Sequence, residues 1–212
     1  MSGNMKSHII GICGGSASGK TTLASELARM LTDTSCTLIT MDNYYKDFVA
    51  QGIDPVNVNY DIPDSFDLKL LASHLTSLKM GVPVEGPVYN FDTHTRSRQK
   101  IMLSPTGIIM VEGLFLYNIR EIASLIDLKI YIETEGEIRF RRRMKRDVSE
   151  RGRTPKSVID QFEKSVQPMH EIYVKPNKVL ADFVIPGDDP KETDMHILLD
   201  EVRKFFRKKT VK

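Results

Sequence analysis

The sequence predicts an α/β fold: a five-stranded parallel sheet between two layers of helices, with a β-hairpin added. Short apolar runs alternate along the chain with longer amphipathic ones, as in successive βα units. The first apolar run enters "GICGGSASGKTT" (Gly11–Thr22), a turn rich in glycine and hydroxyl residues that gives way to a helix at a lysine. The alternation breaks once, in "VPVEGPVYNFDTHTRSRQKIMLSP", which reads as a hairpin over about 82–105 on the ligand edge of the sheet. The 212 residues suffice for one well-buried domain and leave two cramped, so residues 1–212 read as a single domain.

The sheet strands are expected at His8–Cys13, Cys36–Met41, Ile108–Val111, Leu128–Ile132 and Asp182–Pro186. Several are apolar almost throughout, as strands covered on both faces tend to be. A helix opens at Lys20, with Leu23, Leu27, Met30 and Leu31 on one face. A second carries Leu68, Leu71, Leu75 and Leu78, with Asp67 as its N-cap and Gly81 just past its end. A third starts at "TPKSVIDQF", with Thr154 as cap and Pro155 at the first helical position. It has an apolar face of Val158, Phe162, Val166, Met169 and Tyr173, and Pro168 is expected to kink or end it. The last helix packs Met195, Leu198, Leu199, Val202 and Phe206.

Composition removes several function classes. Hydrophobic residues make up 41% and charged residues 27%, with a formal charge of +2, so nothing favours general nucleic-acid or membrane binding. The basic "RKKTVK" end reads as a solvated tail. No run is long enough for a signal peptide or a membrane span, and the two cysteines, Cys13 and Cys36, read as buried thiols in a reducing compartment. The expected location is the cytoplasm.

Gly14, Gly15, Ser16, Ala17, Ser18, Gly19, Lys20 and Thr21 fit G-x-x-x-x-G-K-[ST] between a predicted strand and a predicted helix, followed by Thr22. That context is what a P-loop needs. Its backbone N–H groups and helix N-terminus cradle phosphate, Lys20 reaches the β/γ-phosphates, and the Thr21 hydroxyl can ligate Mg²⁺. A P-loop establishes nucleotide binding, not the reaction. The chain has no Asp-x-x-Gly, and its Asn-Lys pair in "NKVL" lacks the aspartate that reads guanine, which weakens a GTPase switch. Phosphoryl transfer to a bound acceptor remains.

Asp42 and Glu112 are expected to follow the second and third sheet strands, at the carboxyl edge that faces a ligand crevice. Asp42 suits the carboxylate that orients an acceptor hydroxyl and takes its proton, and can also touch the metal; Glu112 suits the metal shell. Capping a following loop is the plainer reading of each. "EIRFRRRMKRDVSERGR" places seven arginines between Arg139 and Arg153. Arg139, Arg142, Arg143 and Arg146 share a helical face opposite Phe140, Met144 and Val148, so the helix is expected to dock by its apolar side. Gly152 breaks it, leaving Arg151 and Arg153 on a mobile segment. The stretch, about 136–154, reads as a lid that adds positive charge over a transferring phosphoryl group; a solvated basic face and RNA binding are the alternatives.

Together, "GICGGSASGKTT", "MDNYYKD", "NYDIPDSFDLKLL", "PVYNFDTHTR", "IIMVEGLF", "KRDVSERGRTPKSVIDQF" and "KPNKVLADFVIPG" resemble the phosphoribulokinase/uridine kinase family, and within it the uridine–cytidine kinases, in family order over almost the whole chain. The resemblance implies a P-loop NTPase fold with transfer of the γ-phosphoryl group of ATP or GTP to the 5′-hydroxyl of uridine or cytidine. By the same resemblance Asp42 is the catalytic aspartate and Asp61 holds the ribose hydroxyls. Tyr89, Phe91 and His94 form the base pocket, Arg143 and Arg146 face the phosphates, and Arg151, Arg153 and Gln161 lie near nucleoside and phosphates. It also implies a homotetramer and inhibition by CTP or UTP. The chemistry agrees: a diol wants a two-oxygen acceptor, a pyrimidine stacks on aromatic rings, and His94 can donate to a 4-oxo group or accept from a 4-amino group. Strand packing is the plainer reading of Tyr89 and Phe91. A sugar-phosphate kinase of the same group and a nucleotide-binding regulator without turnover are the competing functions.

Overall fold

The computed structural model describes residues 7–188 and 192–210, so the N-terminal residues read above for a leader and the last two of the basic tail lie outside it. The strands among these residues are β1 (His8–Gly14), β2 (Cys36–Thr40), β3 (Val84–Asn90), β4 (Thr95–Leu103), β5 (Ile108–Gly113), β6 (Leu128–Glu133) and β7 (Phe183–Pro186). Five form one sheet in the order β2–β5–β1–β6–β7, with every pairing parallel.

The apolarity of the central strands β5, β1 and β6 has a direct cause. Alternate side chains point to opposite faces, and both faces are covered. Ile10, Ile12, Ile108, Met110, Ile130 and Ile132 pack under α1 (Lys20–Met30) and α7 (Glu192–Thr210), through Leu23, Leu27, Met195, Leu198 and Val202. Ile9, Cys13, Ile109, Val111 and Tyr131 pack on the other face with Leu71, Leu75 and Leu78 of α2 (Leu68–Lys79). α2 starts where the sequence indicates: the Asp67 carboxylate accepts from Leu70 N at 3.1 Å. Cys13 is buried, and burial pushes its thiol up to about 12; Cys36 is only half-buried, unlike the expectation, because its edge strand is less covered.

Two corrections concern strand ends. β2 stops at Thr40, and Met41–Tyr44 forms a short 3₁₀ turn. β5 runs on to Gly113, so Glu112 lies on the strand rather than after it. Beyond β5 come a short helix α3 (Arg120–Ala123) and, after β6, α4 (Gly136–Ser149).

The helix with Pro155 at its first position differs more. α5 (Pro155–Gln161) begins as read, with Thr154 Oγ1 accepting from Ser157 N at 3.2 Å. Pro168 does not end it. The chain continues through a π turn at Phe162–Val166, α6 (Gln167–Met169), a second π turn at His170–Val174 and a 3₁₀ stretch, Lys175–Leu180. Each π turn absorbs an extra residue, so the apolar stripe shifts phase. Val158, Phe162 and Val166 are buried as expected, but the next buried position is Val174 rather than Tyr173.

β3 and β4 pair antiparallel as a separate two-stranded sheet, the expected hairpin. It is clamped to the loop after β2 by Arg96. That side chain donates from Nε to Tyr45 O at 2.8 Å and from Nη2 to Tyr44 O at 3.1 Å, and pairs with Asp67 at 3.3 Å.

Candidate active site

The loop after β1 is shaped by close approach. A methyl group on Gly14 would lie 2.8 Å from Ile132 O and 2.8 Å from Ser18 Oγ, so only glycine lets the loop rest on β6. Gly19, at φ 100, turns left-handed immediately before α1. Ser18 N donates to Gly15 O at 3.1 Å and Lys20 Nζ to the same oxygen at 2.8 Å. No side chain caps α1, which leaves the first helical N–H groups aimed at the crevice.

The parallel register brings two carboxylates to this loop. Glu112 pairs across the sheet with Ile12 and with Thr40, and Asp42 lies two residues beyond Thr40. The Thr21 hydroxyl donates to Glu112 Oε1 at 3.0 Å. Burial raises the Glu112 pKa, Lys20 opposes the rise and Asp42 adds to it. Thr21, Glu112 and Asp42 offer only hard oxygen donors. Among the described residues no group of three or more His, Cys, Asp or Glu could cage a metal alone. Two carboxylates and a hydroxyl are nevertheless a donor set that magnesium uses together with substrate phosphates.

A cavity of about 1410 Å³ opens over the loop. Every residue singled out for phosphate, metal or nucleoside lines it except Gly14 and Gly15, which lie behind its wall. It exceeds the ~300–1,000 Å³ of ordinary small-molecule pockets, and so has room for two substrates.

The far end of the cavity is aromatic. Tyr89 and Phe91 meet edge to face with centroids 5.3 Å apart, and Tyr60 stacks on His94 at 5.3 Å. Tyr89 is itself buried against Tyr45, at 5.1 Å, so it both packs the hairpin and lines the pocket. Its N–H donates to Asn43 Oδ1 at 3.1 Å, which ties the pocket to the residue beside Asp42. Burial, with Arg153 and Arg151 alongside, lowers the pKa of His94, so its imidazole is neutral at neutral pH. Asp61 is buried; its Oδ2 accepts from Ser165 Oγ at 2.6 Å and from Gln161 Nε2 at 3.4 Å. Tyr60, Ser165 and Arg96 are absent from the sequence reading. Tyr60 adjoins Asp61, and its position beside that candidate carboxylate is the one signal that could have marked it.

The arginine helix docks the opposite way from the expectation. α4 buries Arg139, Arg143 and Asp147, while Val148 is exposed and Phe140 and Met144 are half-buried. The reason is a network centred on Asp147, which is 0% exposed. Arg143 lies 3.3 Å from it, Arg146 2.8 Å, and Arg151 and Arg153 each 3.6 Å. Arg143 also donates to Ser16 Oγ at 2.7 Å and to Gln161 Oε1 at 3.0 Å, bridging the loop after β1 and α5. Arg151 and Arg153 are therefore held rather than loose. Arg153 donates to Ser157 O at 3.0 Å, and the Arg151 guanidinium sits 4.1 Å from the Phe91 ring centre. The i, i+4, i+8 stripe of Arg139, Arg143 and Asp147 was readable as an ion-pairing row. Seven arginines dominate the stretch, and the acid that gathers four of them is Asp147.

His170 packs behind the loop. Burial, then Arg139, depress its pKa to about 4; Glu171 opposes this, and Lys175 and Lys20 add to it. Above its ordinary 6.5 the ring is neutral folded or unfolded. Between 6.5 and about 4 only the unfolded chain takes up the proton, so stability falls as pH drops through that window. Urea denaturation from pH 7 to 4 is expected to give His170→Gln a shallower loss of stability than the wild type.

Comparison with known proteins places the chain in a family. The model of the phosphoribulokinase/uridine kinase family matches residues 9–193. The uridine kinase of Halalkalibacterium halodurans is 40% identical over 204 residues, 96% of this chain and 97% of its own. That of Borrelia garinii is 42% identical over 190 residues, 90% of this chain and 91% of its own. The solved structure of phosphoribulokinase from Rhodobacter spheroides superimposes with a TM-score of 0.64 at 17% identity, over 86% of this chain and 70% of that one, and shares the fold. On a match across nearly all its length, the chain belongs to the phosphoribulokinase/uridine kinase family.

Proposed function

We propose that the protein transfers the γ-phosphoryl group of a nucleoside triphosphate to the 5′-hydroxyl of uridine, and of cytidine, forming UMP or CMP in pyrimidine salvage. One observation carries the reading: a single cavity has a phosphate-binding loop at one end and, at the other, a buried carboxylate beside aromatic rings and a neutral histidine. The relatives near 40% identity, named uridine kinases, support the same acceptor.

In this reading Asp42 orients the 5′-hydroxyl and accepts its proton, while Asp61 accepts hydrogen bonds from the ribose diol. Tyr89 and Phe91 flank the pyrimidine, and His94 meets its 4-substituent as donor or acceptor according to tautomer. The loop from Gly14 to Thr22 holds the triphosphate, with Lys20 at its β/γ end. Arg143 and Arg146 face the charge that develops on the transferring group, and Arg151, Arg153 and Gln161 close the cavity between the two substrates. Thr21, Glu112 and Asp42 would hold magnesium, which would neutralise phosphate charge there. ATP or GTP serves as donor. No helix among the described residues is long and apolar enough to cross a membrane. The proposed setting is the cytoplasm and, from the family resemblance alone, the proposed assembly is a homotetramer.

An ADP-release screen with ATP and Mg²⁺ over ribonucleosides and sugar phosphates tests the proposal. Uridine and cytidine are expected to turn over and sugar phosphates to remain inert. Turnover of a sugar phosphate with inert nucleosides overturns the acceptor assignment, and no turnover at all favours a nucleotide-binding regulator.

A further inference from the structure

The largest wholly buried side chain among the described residues is a charged one, Arg139, at 1% exposure. Its Nε donates to Thr134 O at 3.2 Å and its Nη2 to Gln167 Oε1 at 2.8 Å, while its Nη1 is buried with no hydrogen-bond partner. Among the described residues no carboxylate forms an ion pair with it. Glu171, the acid whose field it feels, is half a relay away: Gln167 Nε2 donates to Glu171 Oε1 at 3.1 Å, and Lys175 holds Glu171 at 2.6 Å. A buried cation left without a counter-charge is costly, and an apolar side chain of the same size would be cheaper there.

The position of Arg139 accounts for its charge. A methyl group on Gly15 would lie 2.7 Å from Arg139 Cδ, 2.9 Å from Nη1 and 3.0 Å from His170 Nδ1. Gly15 is the residue whose carbonyl anchors both Lys20 and Ser18. Arg139 does not line the cavity, so its guanidinium presses on the phosphate-binding loop from behind. His170, the other buried polar group at that point, is neutral and supplies no compensation.

We infer that Arg139 is a positioning residue of the nucleotide site, a fixed cation whose counter-charge is the polyphosphate tail of the donor, felt through the loop without contact. The inference rests on the P-loop reading of that site and is independent of which acceptor is used. Its signature follows from Coulomb's law: the attraction scales with the charge on the ligand, whereas a packing role affects every nucleotide alike.

The test is isothermal titration of ATP, ADP and AMP into the full chain and its variants, with no acceptor present. Arg139→Met is expected to weaken ATP roughly tenfold and ADP about threefold, with AMP unchanged. Arg139→Lys is expected to stay within about threefold of the wild type for ATP. The melting temperature of free Arg139→Met is expected to equal or exceed that of the wild type, since an uncompensated charge has gone. Equal losses for all three nucleotides, or no loss, overturn the inference. If Arg139→Met does not fold, the unaltered protein still decides: its His170 pKa, followed by NMR, is expected to rise on adding ATP and less on adding ADP. No rise means that phosphate charge does not reach behind the loop. A failed uridine assay beside charge-graded losses would count against the acceptor alone.

Discussion

Asp42→Asn is expected to lower kcat for uridine by about a hundredfold to ten-thousandfold, the usual worth of a positioned proton acceptor, while ATP binds within about threefold of the wild type. The substitution keeps the size of the side chain and removes its ability to take a proton. The backbone around it is secured independently, because Met41 and Tyr44 of the same 3₁₀ turn are buried at 0% and 1% exposure. A change in kcat therefore reports chemistry rather than a collapsed turn. Steady-state kinetics give kcat and titration calorimetry gives ATP affinity. A kcat within threefold of the wild type would remove Asp42 from the reaction.

Asp147→Asn is expected to be the most damaging substitution outside the substrate contacts. The carboxylate is wholly buried and lies within 3.6 Å of four arginines. Removing one partner of a buried ion pair costs about 3–5 kcal/mol, since the remaining charge stays buried and uncompensated. Of the four, Arg143 is the one with little access to solvent, so the loss centres on it. Urea denaturation is expected to register a loss in that range. kcat/KM is expected to fall about a hundredfold, because the guanidinium groups proposed to meet the phosphates lose their common anchor. A variant that keeps both stability and kcat/KM would mean that the arginines find their places without the acid.

Much of this architecture could be read from residues alone, because the informative features are local. The P-loop spacing, the continuous apolar strands, the Asp67 and Thr154 caps and the hairpin each depend on a few neighbours in the chain. What escaped reading depends on distant partners. The helix of arginines has a good apolar face, yet Asp147 reverses which side is buried, and periodicity cannot tell a buried ion network from a solvated stripe. Pro168 usually stops a helix, but π turns on both sides absorb it. Ser165 lies 104 positions from Asp61 and reaches it only through the fold, as Tyr60 reaches His94. Arg96 looks like an ordinary strand cation, and its clamp on the backbone of Tyr44 and Tyr45 exists only in three dimensions.

The two-stranded sheet shares no hydrogen-bond ladder with the five-stranded one and is fastened through the Asn43 and Arg96 contacts. Away from Tyr89, Arg96 and Leu103, which are tied into the main core and the Tyr44–Tyr45 turn, its side chains can drift during descent without disturbing the glycines, the lysine or the sheet register. A lineage could remodel the remainder of the hairpin to suit a different alcohol and keep those anchors and the larger sheet unchanged. Diversification within such a group should then leave its heaviest imprint on the ribbon from Val84 to Leu103 and its lightest on the turn from Gly14 to Thr22.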